Sequence, residues 1–260
     1  MLIGPIFAKL TNAMKGVENK VRIRIGTAGW SIPKISRGEF RQAGSVLQQY
    51  ASRLDAVEIN SSFYRSHKRS TYEKWASQVP QDFSFSVKLP RTITHHSKLH
   101  NIDTLLDEFA DEVSGLGSKL GFVLVQLPPS LEFSRKSVQA AFTLLRKAFA
   151  CAIVCEPRHR SWFSNEVDQF LIDAGVSRAA ADPALCPQAL VPGGAQQTCY
   201  YRLHGSPKIY YSEYSDNQLK DYADLISDHH QSSEVWCIFD NTASGHAMTN
   251  ALKMQRLLRK

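Results

Sequence analysis

Short apolar runs recur through the chain, and each ends in a polar or ionisable group. Val57 and Ile59 flank Glu58 before Asn60, Phe85 and Val87 lead to Lys88, and Val123-Leu124-Val125 leads to Gln126. Cys151-Ala152-Ile153-Val154-Cys155 leads into Glu156-Pro157-Arg158-His159-Arg160-Ser161-Trp162, Tyr200-Tyr201 into Arg202 and His204, and Val235-Trp236-Cys237-Ile238-Phe239 into Asp240. The pattern predicts eight strands, near 22–26, 56–60, 83–88, 121–126, 151–156, 178–182, 199–204 and 235–240. Near-continuous apolar content, without strict alternation, marks strands covered on both faces. Helix-like periodicity fills the gaps near 43–54, 70–79, 103–115, 135–149, 164–175, 216–230 and 246–259. Alternating strand and helix implies parallel pairing with right-handed crossovers. The expected fold is α/β, a TIM-like (β/α)8 barrel, whose reactive groups gather at one end of successive strands.

Local signals refine this layout. Asp103 ahead of Leu105, Leu106 and Phe109 reads as a helix N-cap, with Gly115-Leu116-Gly117 at the far end. Ser134 ahead of Val138, Ala141, Phe142, Leu145 and Phe149 repeats the logic. Between 183 and 198, Pro183, Pro187, Pro192 and Gly193-Gly194 leave room only for a loop or one helical turn, so one outer helix is expected to be degenerate there. With 260 residues, 43% of them hydrophobic, the chain matches one barrel, assigned to residues 21–260 behind an N-terminal extension of residues 1–20.

Lys and Arg total 31 against 24 for Asp and Glu, a formal net charge of +7, which favours an anionic partner, either a small molecule or nucleic acid. No long basic run accompanies it, so the same excess also fits a role in solubility. The five cysteines sit mostly within apolar runs, as expected of reduced thiols. Cys151 and Cys155 lie too far apart along a strand, at about 13 Å, for a disulfide or a shared metal. No stretch reaches the ~20 apolar residues of a membrane span. The run Leu2-Ile3-Gly4-Pro5-Ile6-Phe7-Ala8 is short for a signal peptide and lacks a cleavage site, so a cytoplasmic protein is expected.

The strand ends supply the candidate chemistry. Gly26-Thr27-Ala28-Gly29-Trp30-Ser31 reads either as a tight turn or as a loop offering N–H groups to an anion beside the Trp30 wall. Two-residue alternation puts Glu58 and Asn60 on one face, where Glu58 is either half of a structural Glu–Arg pair or catalytic. Lys88 can hold a phosphate, pair with Glu58 or, if desolvated, act as a nucleophile or base. Of His95 and His96 at most one reaches the same site. Glu156, Arg158 and His159 form the densest cluster, with a base, an anion fork and a proton shuttle, unless they brace the barrel mouth as an ion-pair network. Trp162 closes one side or packs beneath. Asp182, Arg202, His204 and Asp240 complete the ring. Glu58, Glu156, Asp182, His204 and Asp240 are donors suited to a divalent metal, although Lys88, Arg158 and Arg202 can neutralise the same carboxylates without one.

Taken together, these stretches resemble the YecE-like family, the domain of unknown function numbered 72. The resemblance spans roughly residues 22–258 and rests on Gly26-Thr27-x-Gly29-Trp30-Ser31, Val57-Glu58-Ile59-Asn60-Ser61-Ser62-Phe63-Tyr64, Phe83-x-Phe85-Ser86-Val87-Lys88 and Ile93-Thr94-His95. It continues through Gln126-Leu127-Pro128-Pro129-Ser130, Glu156-x-Arg158-His159-x-Ser161-Trp162, Tyr201-Arg202-Leu203-His204-Gly205 and Phe239-Asp240-Asn241. What it implies is a TIM-like barrel of unestablished activity, with no catalytic residues to carry over. The chain departs from the family's pattern at Ile32, at Gly38-Glu39-Phe40-Arg41, at Pro157 where an aromatic is usual, and at Asp240 where asparagine is usual.

The expected function is an enzyme acting on a phosphate-bearing substrate, nucleic acid included, by phosphoester hydrolysis or related acid–base chemistry at the barrel's C-terminal face. Glu58, Glu156, His159, His204 and Asp240 are the candidate acids and bases. Trp30, Asn60, Tyr64, Lys88, His95, Gln126, Arg158, Trp162, Asp182, Arg202 and Asn241 are the candidate substrate contacts. The alternatives are a sugar-type isomerase or lyase, and a non-catalytic binder of nucleic acid or nucleotide that grips its ligand with Trp30, Tyr64 and Trp162.

Overall fold

The computed structural model describes residues 22–196, 198–230 and 233–259; the expected extension over residues 1–20 lies outside them. Among the described residues, ten strands occur in chain order: β1 Ile23–Thr27, β2 Ala56–Ile59, β3 Ser84–Lys88, β4 Leu120–Gln126, β5 Ala152–Glu156, β6 Val176–Arg178, β7 Ala180–Asp182, β8 Gly193–Gly194, β9 Thr198–Leu203 and β10 Glu234–Phe239. Seven α-helices alternate with them: α1 Val46–Ala51, α2 Arg69–Ser77, α3 Asp103–Val113, α4 Arg135–Ala148, α5 Asn165–Asp173, α6 Asp216–His230 and α7 His246–Leu258. Parallel pairing runs β2-β3-β4-β5-β6 in one sheet and β7-β9-β10-β1 in the other.

Two junctions join these sheets into a TIM-like (β/α)8 barrel. At the first, β6 and β7 are successive pieces of the strand expected near 178–182. Ala179 separates them and donates its N–H to Cys155 O at 2.9 Å, so the strand leaves β5 and passes on to β9. At the second, β1 meets β2 through the single bridge Ala28–Glu58 and the Gly29 N–H on Glu58 O at 2.8 Å. Below that bridge the Tyr50 hydroxyl enters the seam, accepting from Thr27 N–H (3.0 Å) and donating to Ala56 O (2.8 Å). The strands still run close together, because a Cβ on Gly26 would collide with Ala56 O.

The missing outer helix falls where the prolines predict it. A 3-10 turn, Pro187–Leu190, and the short β8, antiparallel to β6, occupy that stretch. Arg178 braces the gap from within: its guanidinium grips Asp168 of α5 with two bonds (3.0 and 3.1 Å) and donates to Gln188 O (2.8 Å). One expected cap shifts by a residue. Ile102 occupies the N-cap of α3 and Asp103 its first turn, where its charge suits the helix dipole without a capping bond. At α4, Ser134 is the N-cap but makes no side-chain cap bond.

Packing follows the two-residue alternation of the strands. Outward side chains such as Val57, Val123, Ile153 and Tyr201 join the large core beneath the helices. Inward ones, Ala56, Phe122, Leu124, Val154, Ala179, Tyr200, Trp236 and Ile238, form a separate cluster inside the barrel. Five inward columns end in a charged side chain at the C-terminal end: Glu58 after Ala56, Lys88 after Ser86, Glu156 after Val154, Arg202 after Tyr200 and Asp240 after Ile238. The apolar plug closes the bottom, and the charges stand on top of it. No helix of the described residues is long and apolar enough to cross a membrane.

Candidate functional site

Arg202, on β9 and 1% exposed, is the hub of the charged layer. Its Nε and Nη2 donate to the two oxygens of Glu58 (2.8 and 2.6 Å), its Nη1 to Glu156 (2.8 Å), and Nη2 also to Asp240 (3.0 Å). Tyr200, two residues earlier on the same face, donates its hydroxyl to Glu58 at 3.1 Å and stands 2.9 Å from Ser86 Oγ. Three carboxylates from β2, β5 and the end of β10 thus share one guanidinium. A buried carboxylate is tolerable only when paired in this way. Burial disfavours the Arg202 charge, but Glu58, Glu156 and Asp240 outweigh it and hold the guanidinium more firmly protonated than in water.

The rim of the network is asymmetric. His204 lies between Asp240 (Nδ1, 3.1 Å) and Glu156 (Nε2, 3.1 Å), and Arg158 Nη2 is 2.7 Å from the same Nε2. Arg158 also ion-pairs with Glu156, while its Nε is buried with no hydrogen-bond partner among the described residues. Burial pushes the Glu156 carboxyl up, but Arg158, Arg202 and His204 together hold it well below the usual carboxylate range. Asp240 is likewise lowered, with Arg202 and His204 overcoming its burial.

Lys88 differs from every other charged group in the mouth. It is 5% exposed at the tip of β3, and its amine makes no hydrogen bond or ion pair among the described residues; its Nζ rests 4.1 Å from the centre of the Phe63 ring. Burial, reinforced by Arg202, lowers its amine to about 8 against the pull of Glu58, Glu156 and Asp240. His95 stands beside it, with its ring 5.0 Å from Phe63 and Nδ1 2.9 Å from Thr94 Oγ1, and is lowered by burial and by Lys88.

The remaining sequence candidates scatter. His159 turns outward, as two-residue alternation requires of the residue next to inward Arg158: its Nδ1 is 2.9 Å from Ser161 Oγ and its Nε2 3.9 Å from Glu132. Trp162 is fully buried, donates to Leu131 O at 2.9 Å and packs on Phe133, so it lies beneath the loop. Asp182 accepts from the Tyr214 hydroxyl at 2.6 Å, and that hydroxyl in turn accepts from Gly205 N–H. Asn241 donates to Ser212 O and Asn250 Oδ1, tying down the loop after β10. Gln126, half-buried at the end of β4, donates to Leu127 O at 3.2 Å. Trp30, Asn60 and Tyr64 line a neighbouring cleft between the first two strand–helix loops, together with Arg65 and Trp75. His96 points to Arg91 from the π-helical turn Thr92–His96, leaving His95 as the one of the pair beside Lys88.

Sequence reasoning missed Tyr200, Phe63 and Tyr210. The Tyr210 ring stands 5.9 Å from His204 and its N–H donates to His204 O at 2.6 Å, so it roofs the histidine. Only Tyr200 left a signal, its place two residues before Arg202.

The donor set does not suit a metal ion. The Glu58, Glu156 and Asp240 oxygens that would ligate one already converge on Arg202, and no group of three His, Cys, Asp or Glu side chains among the described residues is placed to hold a cation. The arrangement can do two things: bind an anion through Arg158 and Lys88, and move protons through Glu156 and His204.

Comparisons with known proteins agree on one lineage. A family model described as "Protein of unknown function DUF72" matches residues 24–260. UPF0759 protein YunF of Bacillus subtilis is 24% identical over 91% of this chain and 94% of its own length. UPF0759 protein YecE of Escherichia coli is 29% identical over 59% of this chain and 55% of its own length. A DUF72 family protein of Enterococcus faecalis superposes with a TM-score of 0.78 at 23% identity, covering 92% of this chain and 96% of the other. A sugar phosphate isomerase/epimerase from Parabacteroides distasonis reaches 0.52 at 10% identity, over 93% and 97% of the two chains, a likeness of fold alone.

Proposed function

The chain belongs to the DUF72 family of proteins of unknown function, and from its barrel mouth we propose an enzyme that performs acid–base chemistry on a small phosphate-bearing substrate. The observation that carries this reading is Arg158. Two elements of the network already hold its Nη2, yet its Nε has no partner, and an unsatisfied charged donor at a barrel mouth calls for acceptor oxygens from a ligand. Lys88 adds a second charge with no counter-ion of its own. Glu156 and His204, 3.1 Å apart and in touch with Arg158, are the proton-transfer pair. Arg202 stays a brace, because its donors are spent on carboxylates.

Calorimetric titration with inorganic phosphate, followed by turnover screens on sugar phosphates and phosphodiesters, tests this reading. Glu156→Gln is expected to abolish turnover and leave ligand binding nearly intact; an unchanged rate would remove Glu156 from the mechanism. Absence of phosphate binding to the wild type, or binding that Arg158→Gln leaves unaltered, would end the anion-grip reading. A second reading, a binder without turnover, draws on Tyr64, Tyr210 and Tyr211, exposed side chains beside Arg65 and Lys208 at the same end of the barrel. Affinity for oligonucleotides that falls steeply with salt, with no product formed, would favour it.

A further inference from the structure

We propose that Lys88 is a covalent attachment point, forming an imine with the aldehyde or ketone carbon of a phosphate-bearing substrate. The inference rests on the anion-binding mouth and names the substrate class: a carbonyl compound whose phosphate is gripped by Arg158.

The geometry argues for a nucleophile over a structural lysine. A buried lysine ordinarily earns its place through a carboxylate, and three stand nearby. All three are claimed by Arg202, with Glu156 and Asp240 further engaged by His204. Lys88 is left facing Arg202, Glu58, Glu156, Asp240 and His95, with an aromatic face under its amine and no hydrogen bond to that amine among the described residues. Desolvation beside a second cation is the setting that activates a lysine amine. With the amine lowered to about 8, on the order of a tenth of the molecules carry it neutral at pH 7, against a few in ten thousand for an ordinary lysine.

The step balances within the mouth. The neutral amine attacks the carbonyl carbon, a C–N bond forms and the carbonyl oxygen takes a proton to give the carbinolamine. The nitrogen then loses its second proton, the hydroxyl leaves as water, and the C=N bond is complete. His204 and Glu156 are the groups that can supply and collect those protons. No oxidant or reductant is consumed.

Pyridoxal phosphate, an aldehyde with a phosphate, is a suitable probe. The protein would be incubated with it at pH 7, reduced with borohydride, digested and mapped by mass spectrometry. The expected result is a reduced adduct on Lys88 at least tenfold above that on exposed lysines such as Lys34 and Lys220, and loss of that adduct in Lys88→Arg, which keeps the charge. Labelling that follows exposure and spares Lys88 would overturn the proposal even if phosphate binding persists. Equal labelling of Lys88 by pyridoxal, which lacks the phosphate, would leave the reactive lysine standing and remove the anion grip.

Discussion

At the scale of single residues, Arg202 and Lys88 carry the same charge in one mouth and are expected to affect stability in opposite directions. Removing Arg202 strands three buried carboxylates, so Arg202→Met should destabilise the fold by about 3–5 kcal/mol, read as a fall in urea midpoint. Arg202→Lys should recover little, because a single ammonium cannot reproduce a fork that makes bonds to Glu58, Glu156 and Asp240 at once. Lys88 is held at about 8, below the ordinary lysine value, so the unfolded chain binds its proton more tightly than the native one. Its charged form therefore costs stability below pH 8, and the cost fades as pH rises from about 8 toward the unfolded value. Lys88→Met should accordingly be more stable than wild type at pH 7, by about 2 kcal/mol, with the gap closing by pH 10.5. Urea midpoints of both proteins at the two pH values check this, and a gap that widens with pH would contradict it. A residue that weakens its own fold at neutral pH is better explained by chemistry than by architecture.

Among the elements, the seam between β1 and β2 is the weakest part of the ring, and it depends on one hydroxyl from α1. Tyr50→Phe leaves the Thr27 N–H and Ala56 C=O buried without their partner, and should cost about 1–3 kcal/mol while speeding hydrogen exchange at the Thr27 amide. Retained protection at Thr27 would show that β1 and β2 pair directly once the hydroxyl is gone. Strands, helices and the degenerate segment near 187–194 were legible because local composition decides them. The polar caps of the strands were legible too, since two-residue alternation carries Glu58, Lys88, Glu156, Arg202 and Asp240 to one end and one face. What the sequence left open is how those groups divide among themselves. Arg202 meets Glu58 across 144 positions, and nothing local says that it, and not Lys88, would take all three carboxylates. His159 was misleading as a neighbour of Arg158 because alternation sends adjacent residues to opposite faces, and Trp162 because the turn beginning at Arg160 breaks the alternation that had placed Glu156 and Arg158. Tyr50 and Tyr210 gave no signal, since one reads as an ordinary apolar-face residue of α1 and the other as a loop residue, and only the folded chain brings the first to Thr27 and the second over His204.

Over the whole molecule, burial of weak acids sets the pH range of the fold. Glu156 and Asp240 are held below their unfolded values, so their contribution is complete above the ordinary carboxylate range and is lost as pH falls through the lowered values. Cys155 and Cys237 are raised by burial, Cys151 to about 11, and burial also raises the phenols of Tyr50, Tyr72, Tyr200, Tyr201, Tyr214 and Tyr222. Once pH passes the unfolded thiol value near 9 and the unfolded phenol value near 10, the unfolded chain releases protons that the native state retains. Each such group then withdraws about 1.4 kcal/mol per pH unit, and together they far outweigh the single opposing contribution of Lys88. The urea midpoint, measured with reductant present, is therefore expected to hold between about pH 6 and 8.5 and to fall steeply above 9. A flat profile to pH 10.5 would mean that solvent reaches these thiols and phenols in the native barrel, which is incompatible with the packed interior around Tyr200 and Trp236.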